Sequence, residues 1–355
     1  MRRNRLLALT LGLALLCSCT PKPAEPTPTP EPVSTPTAES TPDPGALDRS
    51  LQVAVLKGPT GLGAAYMMEE NPVEMDCRPD GAPWHDRYTF TLCAEPTEAV
   101  ALLTKGEADI AALPTNLAST LYHKLDGGIQ LLALNTYGVL YILENGDTVH
   151  SMTDLRGRTV HAYGQGANPE FALNYLLEQN GVDRESVDVQ WHSSTDEVSA
   201  LMAGGEADVC MLPVPAATAV LMQNGDVREA LDLTQEWENA GGDGVLTMGC
   251  VVVRTEFARE HPEAVETFLE EYKASIDYMT DPANLDHAAR LAETYGIVPK
   301  AAVAEKAIPA ANLCFVTGDD MMDGIQGYYQ VLYQADPASI GGSIPDGAFY
   351  YSRGK

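Results

Sequence analysis

The chain has 355 residues, with 50 acids against 22 Lys and Arg, a formal net charge of -28 and 45% apolar residues. Such acidity excludes nonspecific attachment to nucleic acid, and the length suffices for two substantial domains. Acidity does not exclude an anionic ligand held locally by backbone N-H groups.

Arg2, Arg3 and Arg5 precede the apolar run Leu6 to Leu16, which ends in Leu16-Cys17-Ser18-Cys19. The run is shorter than the ~20 residues a spanning helix needs, so it reads as a signal peptide. Its end resembles a bacterial lipobox, which implies cleavage before Cys19, a lipid on that sulfur and an extracytoplasmic body anchored to the membrane. Loss of residues 1-18 removes three arginines and no acids, so -28 becomes -31. Residues 19-46 are a Pro/Thr-rich stalk, whose extended polyproline segment of about 25 residues reaches up to ~80 Å at ~3.1 Å per residue.

The body, residues 47-355, contains an internal duplication. Gly106-Glu107-Ala108-Asp109-Ile110-Ala111-Ala112-Leu113-Pro114 returns as Gly205-Glu206-Ala207-Asp208-Val209-Cys210-Met211-Leu212-Pro213, identical at six of nine positions and displaced by 99 residues. Each copy reads as a helix, a tight turn, a short buried strand and a loop. The duplication extends upstream. Leu51 to Leu56 is a predicted strand running into Lys57-Gly58-Pro59-Thr60-Gly61 and a helix through Tyr66 to Asn71; Thr159 to Ala162 leads likewise into Tyr163-Gly164-Gln165-Gly166-Ala167-Asn168 and a helix through Tyr175 to Asn180. Second strands follow at Tyr88 to Cys93 and at Val187 to Trp191, each with a helix after it. Each half is therefore a βαβαβ unit, for which right-handed crossovers give a parallel sheet.

Between the halves, Gln130 to Ala133 and Gly138 to Leu143 read as strands, the second expected to pair with Leu246 to Arg254. Downstream, Pro262 to Tyr278, Leu285 to Tyr295, Ala301 to Ala307 and Met321 to Gln334 have helical apolar spacing. They are expected to pack on a discontinuous first lobe, residues 47-140 and 247-355, with 141-246 as the second.

Loops beyond the carboxyl ends of parallel strands are where open α/β sheets bind ligands. In lobe one these offer Thr60, Gly61, Pro114, Thr115 and Asn116; in lobe two, Tyr163, Gln165, Gly166, Ala167, Asn168, Ser193, Pro213, Val214 and Pro215. Free N-H groups at helix starts favour an anion or polar acceptor, although the glycines can serve only the turns, and Ser193 and Ser194 only as helix caps. Asn116 and Gln165 are expected to touch one ligand from opposite sides. Tyr137, Tyr163 and Trp237 are candidates for stacking on a planar ligand or for the core. His161 and His192 can end neighbouring strands and meet the cleft, but read first as satisfied core or surface histidines, and the seven histidines lack a zinc-site spacing. No serine sits in a Gly-x-Ser-x-Gly elbow. Cys77 and Cys93 can pair or stay free; Cys210 and Cys250 read as buried small hydrophobes.

The lipobox, stalk and duplicated lobes together resemble the type II periplasmic binding proteins of ABC importers, in the NMT1/THI5-like branch that covers sulfonates, taurine and thiamine-precursor pyrimidines. The stretches carrying this are Leu56 to Gly61, Gly106 to Asn116, Asp154 to Val160, Leu212 to Pro215 and Cys250 to Phe257. The resemblance implies a two-lobed α/β fold, each lobe a mainly parallel sheet flanked by helices, joined by two hinge crossovers. It implies a monomer that binds a small polar compound without catalysis, cofactor or metal and delivers it to an ABC permease with its ATPase. The chain lacks the cysteine-rich motif of pyrimidine synthases on this fold. An enzyme of menaquinone-precursor type, or a ligand-sensing lipoprotein, is the alternative.

Overall fold

The computed structural model describes Leu47 and residues 49-71, 73-74, 85-241 and 244-352. The signal peptide, Cys19, the stalk and Cys77 lie outside these residues; Cys93 is a free thiol.

The first stretch runs β1 (Leu51–Leu56), α1 (Pro59–Leu62), α2 (Ala65–Glu70), a short antiparallel pair β2 (Val73–Glu74) and β3 (His85–Asp86), β4 (Tyr88–Cys93), α3 (Pro96–Lys105), β5 (Ile110–Pro114), α4 (Thr115–Lys124) and β6 (Ile129–Tyr137). The chain then crosses through Gly138 and Val139 into β7 (Leu140–Asn145), β8 (Thr159–Tyr163), α5 (Asn168–Gln179), β9 (Asp188–His192), α6 (Thr195–Ala203), β10 (Val209–Pro213), α7 (Ala216–Gln223), β11 (Val227–Asp232) and α8 (Leu233–Asn239). It returns as β12 (Thr247–Arg254), α9 (Thr255–Glu260), α10 (Pro262–Thr280), α11 (Leu285–Thr294), α12 (Ala301–Ala307), β13 (Leu313–Val316) and α13 (Gly318–Ala335).

Among the described residues these strands make two principal sheets, ordered β13-β6-β12-β5-β1-β4 and β11-β7-β10-β8-β9. β4, β1 and β5 are mutually parallel, as are β9, β8 and β10. In each sheet an antiparallel strand lies next to the strand that follows the duplicated turn: β12 beside β5, β7 beside β10. The two halves exchange these strands, since β7 arrives directly from the first sheet and β12 from the second. The expected pairing of Gly138 to Leu143 with Leu246 to Arg254 is therefore wrong. β7 pairs with β10 and β11, and β12 with β5 and β6. Both segments are continuously apolar because each is an interior strand, and such runs carry no period from which a partner can be read.

In the duplicated turn, Gly106 and Gly205 stand at φ 72° and 73°, a conformation a side chain disfavours, and so end the preceding helix and turn the chain into the strand. The acid beside the strand then behaves differently in the two copies. Asp109 is fully buried and accepts from Arg49 Nη1 and Nη2 at 2.6 and 2.8 Å, from Gln52 N at 3.0 Å and from Arg254 Nη2 at 3.1 Å. It thus clamps the start of β1 to the end of β12. Asp208 is exposed, and the buried anion of the second sheet is instead Glu144 on β7, bound by Arg228 Nη2 at 2.6 Å and by Thr148 and Val149 N-H groups.

The C-terminal helices cover the first sheet and also reach the second. Tyr328 on α13 packs on Trp237 of α8, which packs on Tyr175 of α5. Val214, Ala217 and Val220 share an apolar cluster with Ala304, Ala307 and Ile308. Trp237, a stacking candidate, is 1% exposed and belongs to this core.

Burial pushes the Asp109 carboxyl up, but its hydrogen bonds from Arg49, Gln52 N-H and Arg254 outweigh this and hold it below the ordinary carboxylate range. A depressed folded-state pKa gives stability that is complete above the unfolded value of about 3.9 and is lost as pH falls through the folded value. Asp109→Asn is expected to cost about 3 kcal/mol at pH 7, because it leaves two arginines without their shared carboxylate. The gap to the parent should narrow below about pH 4. Denaturant titrations at the two pH values check this; an equal loss at both would show that the charge contributes nothing.

Candidate ligand cleft between the two sheets

Because the two sets of parallel strands each end in a loop and a helix start, six such junctions form two carboxyl edges. These edges face one another, as two contacts establish. Tyr163 at the end of β8 donates its hydroxyl to Glu95 Oε2 at the start of α3, and Asn168 at the start of α5 touches Thr115 and Asn116 at the start of α4.

Asn168 is the centre of this seam. It is 1% exposed, and its Nδ2 donates to Thr115 Oγ1 at 2.9 Å and to Met248 O at 3.0 Å. Its Oδ1 accepts from Tyr328 OH at 2.7 Å and from Asn116 N at 3.3 Å. Thr115 Oγ1 donates to Thr247 O at 2.8 Å, and Tyr329 OH donates to Thr115 O at 2.8 Å. Such buried polar groups are tolerable because nearly every lone pair and proton is matched. Asn116 is the exception. Its Nδ2 donates to Ser339 O at 3.3 Å, while Oδ1 has no partner among the described residues.

The remaining candidates fall into three groups. Thr60 and Gly61 are buried in α1, where Thr60 O accepts from Asn135 Nδ2 at 3.0 Å. A Cβ on Gly61 would lie 1.8 Å from Leu56 O, so this glycine exists to let α1 pack on its own strand. Pro114 and Pro213 end β5 and β10 half-buried, and Val214 and Pro215 are buried beyond β10, with the Val214–Pro215 bond cis. Gln165 and Gly166 are exposed, Ala167 N donates to Gly164 O within the turn, and Gly166 N donates to Glu170 Oε2 at 2.6 Å. Asn116 and Gln165 are thus separated in environment, one enclosed in the seam and one on the surface. Ser193 is exposed, and both its N-H and hydroxyl donate to Glu197 Oε2, while the neighbouring Ser194 caps α6 by accepting from Glu197 N.

Four participants escape sequence reading: Glu95, Thr247, Tyr328 and Tyr329. The tandem tyrosines on an otherwise apolar helical face were a usable signal, because a buried phenol needs a hydrogen-bond partner. Burial raises the Tyr163 hydroxyl, helped by its hydrogen bond to Glu95, so the phenol keeps its proton and donates.

His161 and His192 lie on the adjacent strands β8 and β9, with His161 Nδ1 2.9 Å from His192 Nε2 and His192 Nδ1 3.1 Å from Glu197 Oε1. Among the described residues no group of three or more His, Cys, Asp or Glu is arranged to hold a metal ion.

The family model described as NMT1/THI5 like matches residues 91–284. No curated protein matches the sequence. Among solved structures, an ABC transporter from Parabacteroides distasonis is 22% identical, covering 86% of this chain and 99% of that one, with a TM-score of 0.70. The periplasmic aliphatic sulphonate binding protein SsuA from Escherichia coli is 14% identical over 84% and 92% of the two chains, TM-score 0.64. The alkanesulfonate-binding protein SsuA from Xanthomonas axonopodis pv. citri, bound to MOPS, is 14% identical over 84% and 96%, TM-score 0.61. All three share the two-lobed fold.

Asn168→Ala strips hydrogen bonds from Thr115, Met248 and Tyr328 together and is expected to destabilise the chain by about 2 kcal/mol while raising the radius of gyration in solution scattering. An unchanged radius would show that the two edges meet without this amide. Burial and the neighbouring His192 lower the pKa of His161. A base depressed on folding gives stability that is full above its unfolded value near 6.5 and is lost as pH falls towards the folded value. Between pH 7 and 5 the parent should therefore lose stability faster than His161→Gln, as paired thermal melts will read; parallel curves would refute the assignment.

Proposed function

We propose, because this chain belongs to the NMT1/THI5-like family, that it is an extracytoplasmic solute-binding lipoprotein that captures a small molecule between its lobes and hands it to an ABC importer. The observation carrying this reading is the Asn168 seam: a side chain of one carboxyl edge enclosed by groups of the other. A ligand that bridges the same edges, touching Thr115, Asn116, Tyr163 and Asn168, would favour the closed arrangement by the contacts available only when both edges meet. The crossovers at Gly138-Val139 and at residues 244–246 are the hinge in this scheme. Binding without chemistry then suffices for delivery, the permease with its ATPase supplying the work.

The anchor is Cys19, lipidated after cleavage of residues 1–18, with residues 19–46 as a tether and 47–140 with 247–355 and 141–246 as the two lobes. No helix among the described residues is long and apolar enough to cross a membrane. The structures named for sulfonates make small polar compounds the first class to test, pyrimidines and small carboxylates the next.

A thermal-shift screen of those compounds tests binding: a ligand present at 100 times its Kd adds about 2.7 kcal/mol to the native state and should be recovered chemically unchanged. Consumption of the compound would establish an enzyme instead. Cys19→Ser should move the protein from the membrane fraction to the soluble one.

A further inference from the structure

Among the described residues, the six loops after the parallel strands, with the first turns of the helices they enter, carry five carboxylates: Glu95, Glu98, Glu170, Asp196 and Glu197. They carry one amine, Lys57. Three of the carboxylates are tied to loop N-H groups just ahead of the helix caps, beside the place where an anion at the helix start would lie. Glu98 Oε2 accepts from Ala94 N at 2.8 Å, Glu170 Oε2 from Gly166 N at 2.6 Å and Glu197 Oε2 from Ser193 N at 3.2 Å. An anionic ligand at any of these helix starts would lie beside an attached carboxylate. Like charges held that close repel, and more strongly where water is excluded. Glu95 places a further negative charge at the seam itself, beside Tyr163.

A second observation specifies what is wanted. Asn116 is 3% exposed and stands at the seam, its N-H on Asn168 Oδ1 of the opposite lobe. The bond from its Nδ2 to Ser339 O fixes which end of the amide is oxygen, and that oxygen lacks a donor among the described residues. A buried acceptor left bare loses its bonds to water without replacing them. An N-H relieves it; a sulfonate or carboxylate oxygen cannot.

We propose that the cleft takes a small amine or amidine, bearing N-H donors and no net negative charge, with an N-H on Asn116 Oδ1 and its positive end towards Glu95. This rests on the solute-binding reading and departs from the sulfonates for which two of the similar structures are named. The net charge of -28 acts in the same sense at long range, concentrating cations near the protein.

Calorimetric titration of the mature protein with agmatine, putrescine and 4-aminopyrimidine against ethanesulfonate and nitrate tests it. At least one nitrogen probe is expected to bind ten times more tightly than either anion. Glu95→Gln, which keeps an acceptor for Tyr163, should weaken that probe about tenfold, and Lys57→Ala should leave it within twofold. Tighter binding of ethanesulfonate or nitrate, lost in Lys57→Ala, overturns the charge assignment and leaves the solute-binding function standing. Binding of none of the five probes by folded protein overturns the assignment, while a hit among other classes in the thermal-shift screen would still uphold capture of a solute.

Discussion

A primary amide removed from water is costly unless both its ends are answered, and the arrangement of the two lobes follows from how Asn168 meets this constraint. Its donors reach a hydroxyl and a carbonyl of the first lobe, and its acceptor receives a phenol from the C-terminal helix. Three separate stretches of chain, at α4, β12 and α13, therefore have to be in register before the side chain is satisfied. The apolar contact of α7 with α12 adds area but little direction, since hydrophobic burial is indifferent to a small slide. Direction comes from the amide.

The far edges of the sheets show the opposite strategy. There the protein buries whole charges, Asp109 between two arginines and Glu144 against Arg228. Each ties a crossing strand to its adopted sheet. Ion pairs hold the far ends, whereas the Asn168 contacts across the seam are hydrogen bonds between neutral groups. Neutral groups are cheaper to return to water, so the difference suits a seam that opens.

Much of this was legible in the sequence and some was not, for physical reasons. Leu51–Leu56 and Tyr88–Cys93 could be bounded to the residue because polar or Gly/Pro positions punctuate them. The duplication located the turns and the carboxyl edges, and with them Thr115, Asn116 and Asn168. The partner of β7 was misassigned because a fully apolar strand looks the same to any neighbour. Gln165 and Asn168 are both polar residues of one glycine-containing loop, yet Gln165 faces solvent and Asn168, three positions on, is enclosed. Tyr328 and Tyr329 reach the seam from a helix 160 residues beyond Asn168, a distance that local patterning does not span.

The exchange of strands also sets an order on assembly. All five strands of the second sheet lie in one continuous stretch, from Leu140 to Asp232. The first sheet is different, because β12 sits between β5 and β6 and arrives only after that whole stretch has passed. Without it the first lobe is two unjoined fragments, β4-β1-β5 on one side and β6 on the other. The later lobe in the chain can thus be complete while the earlier one still waits for its middle strand, and long-range pairing of that kind is the slow part of forming a sheet.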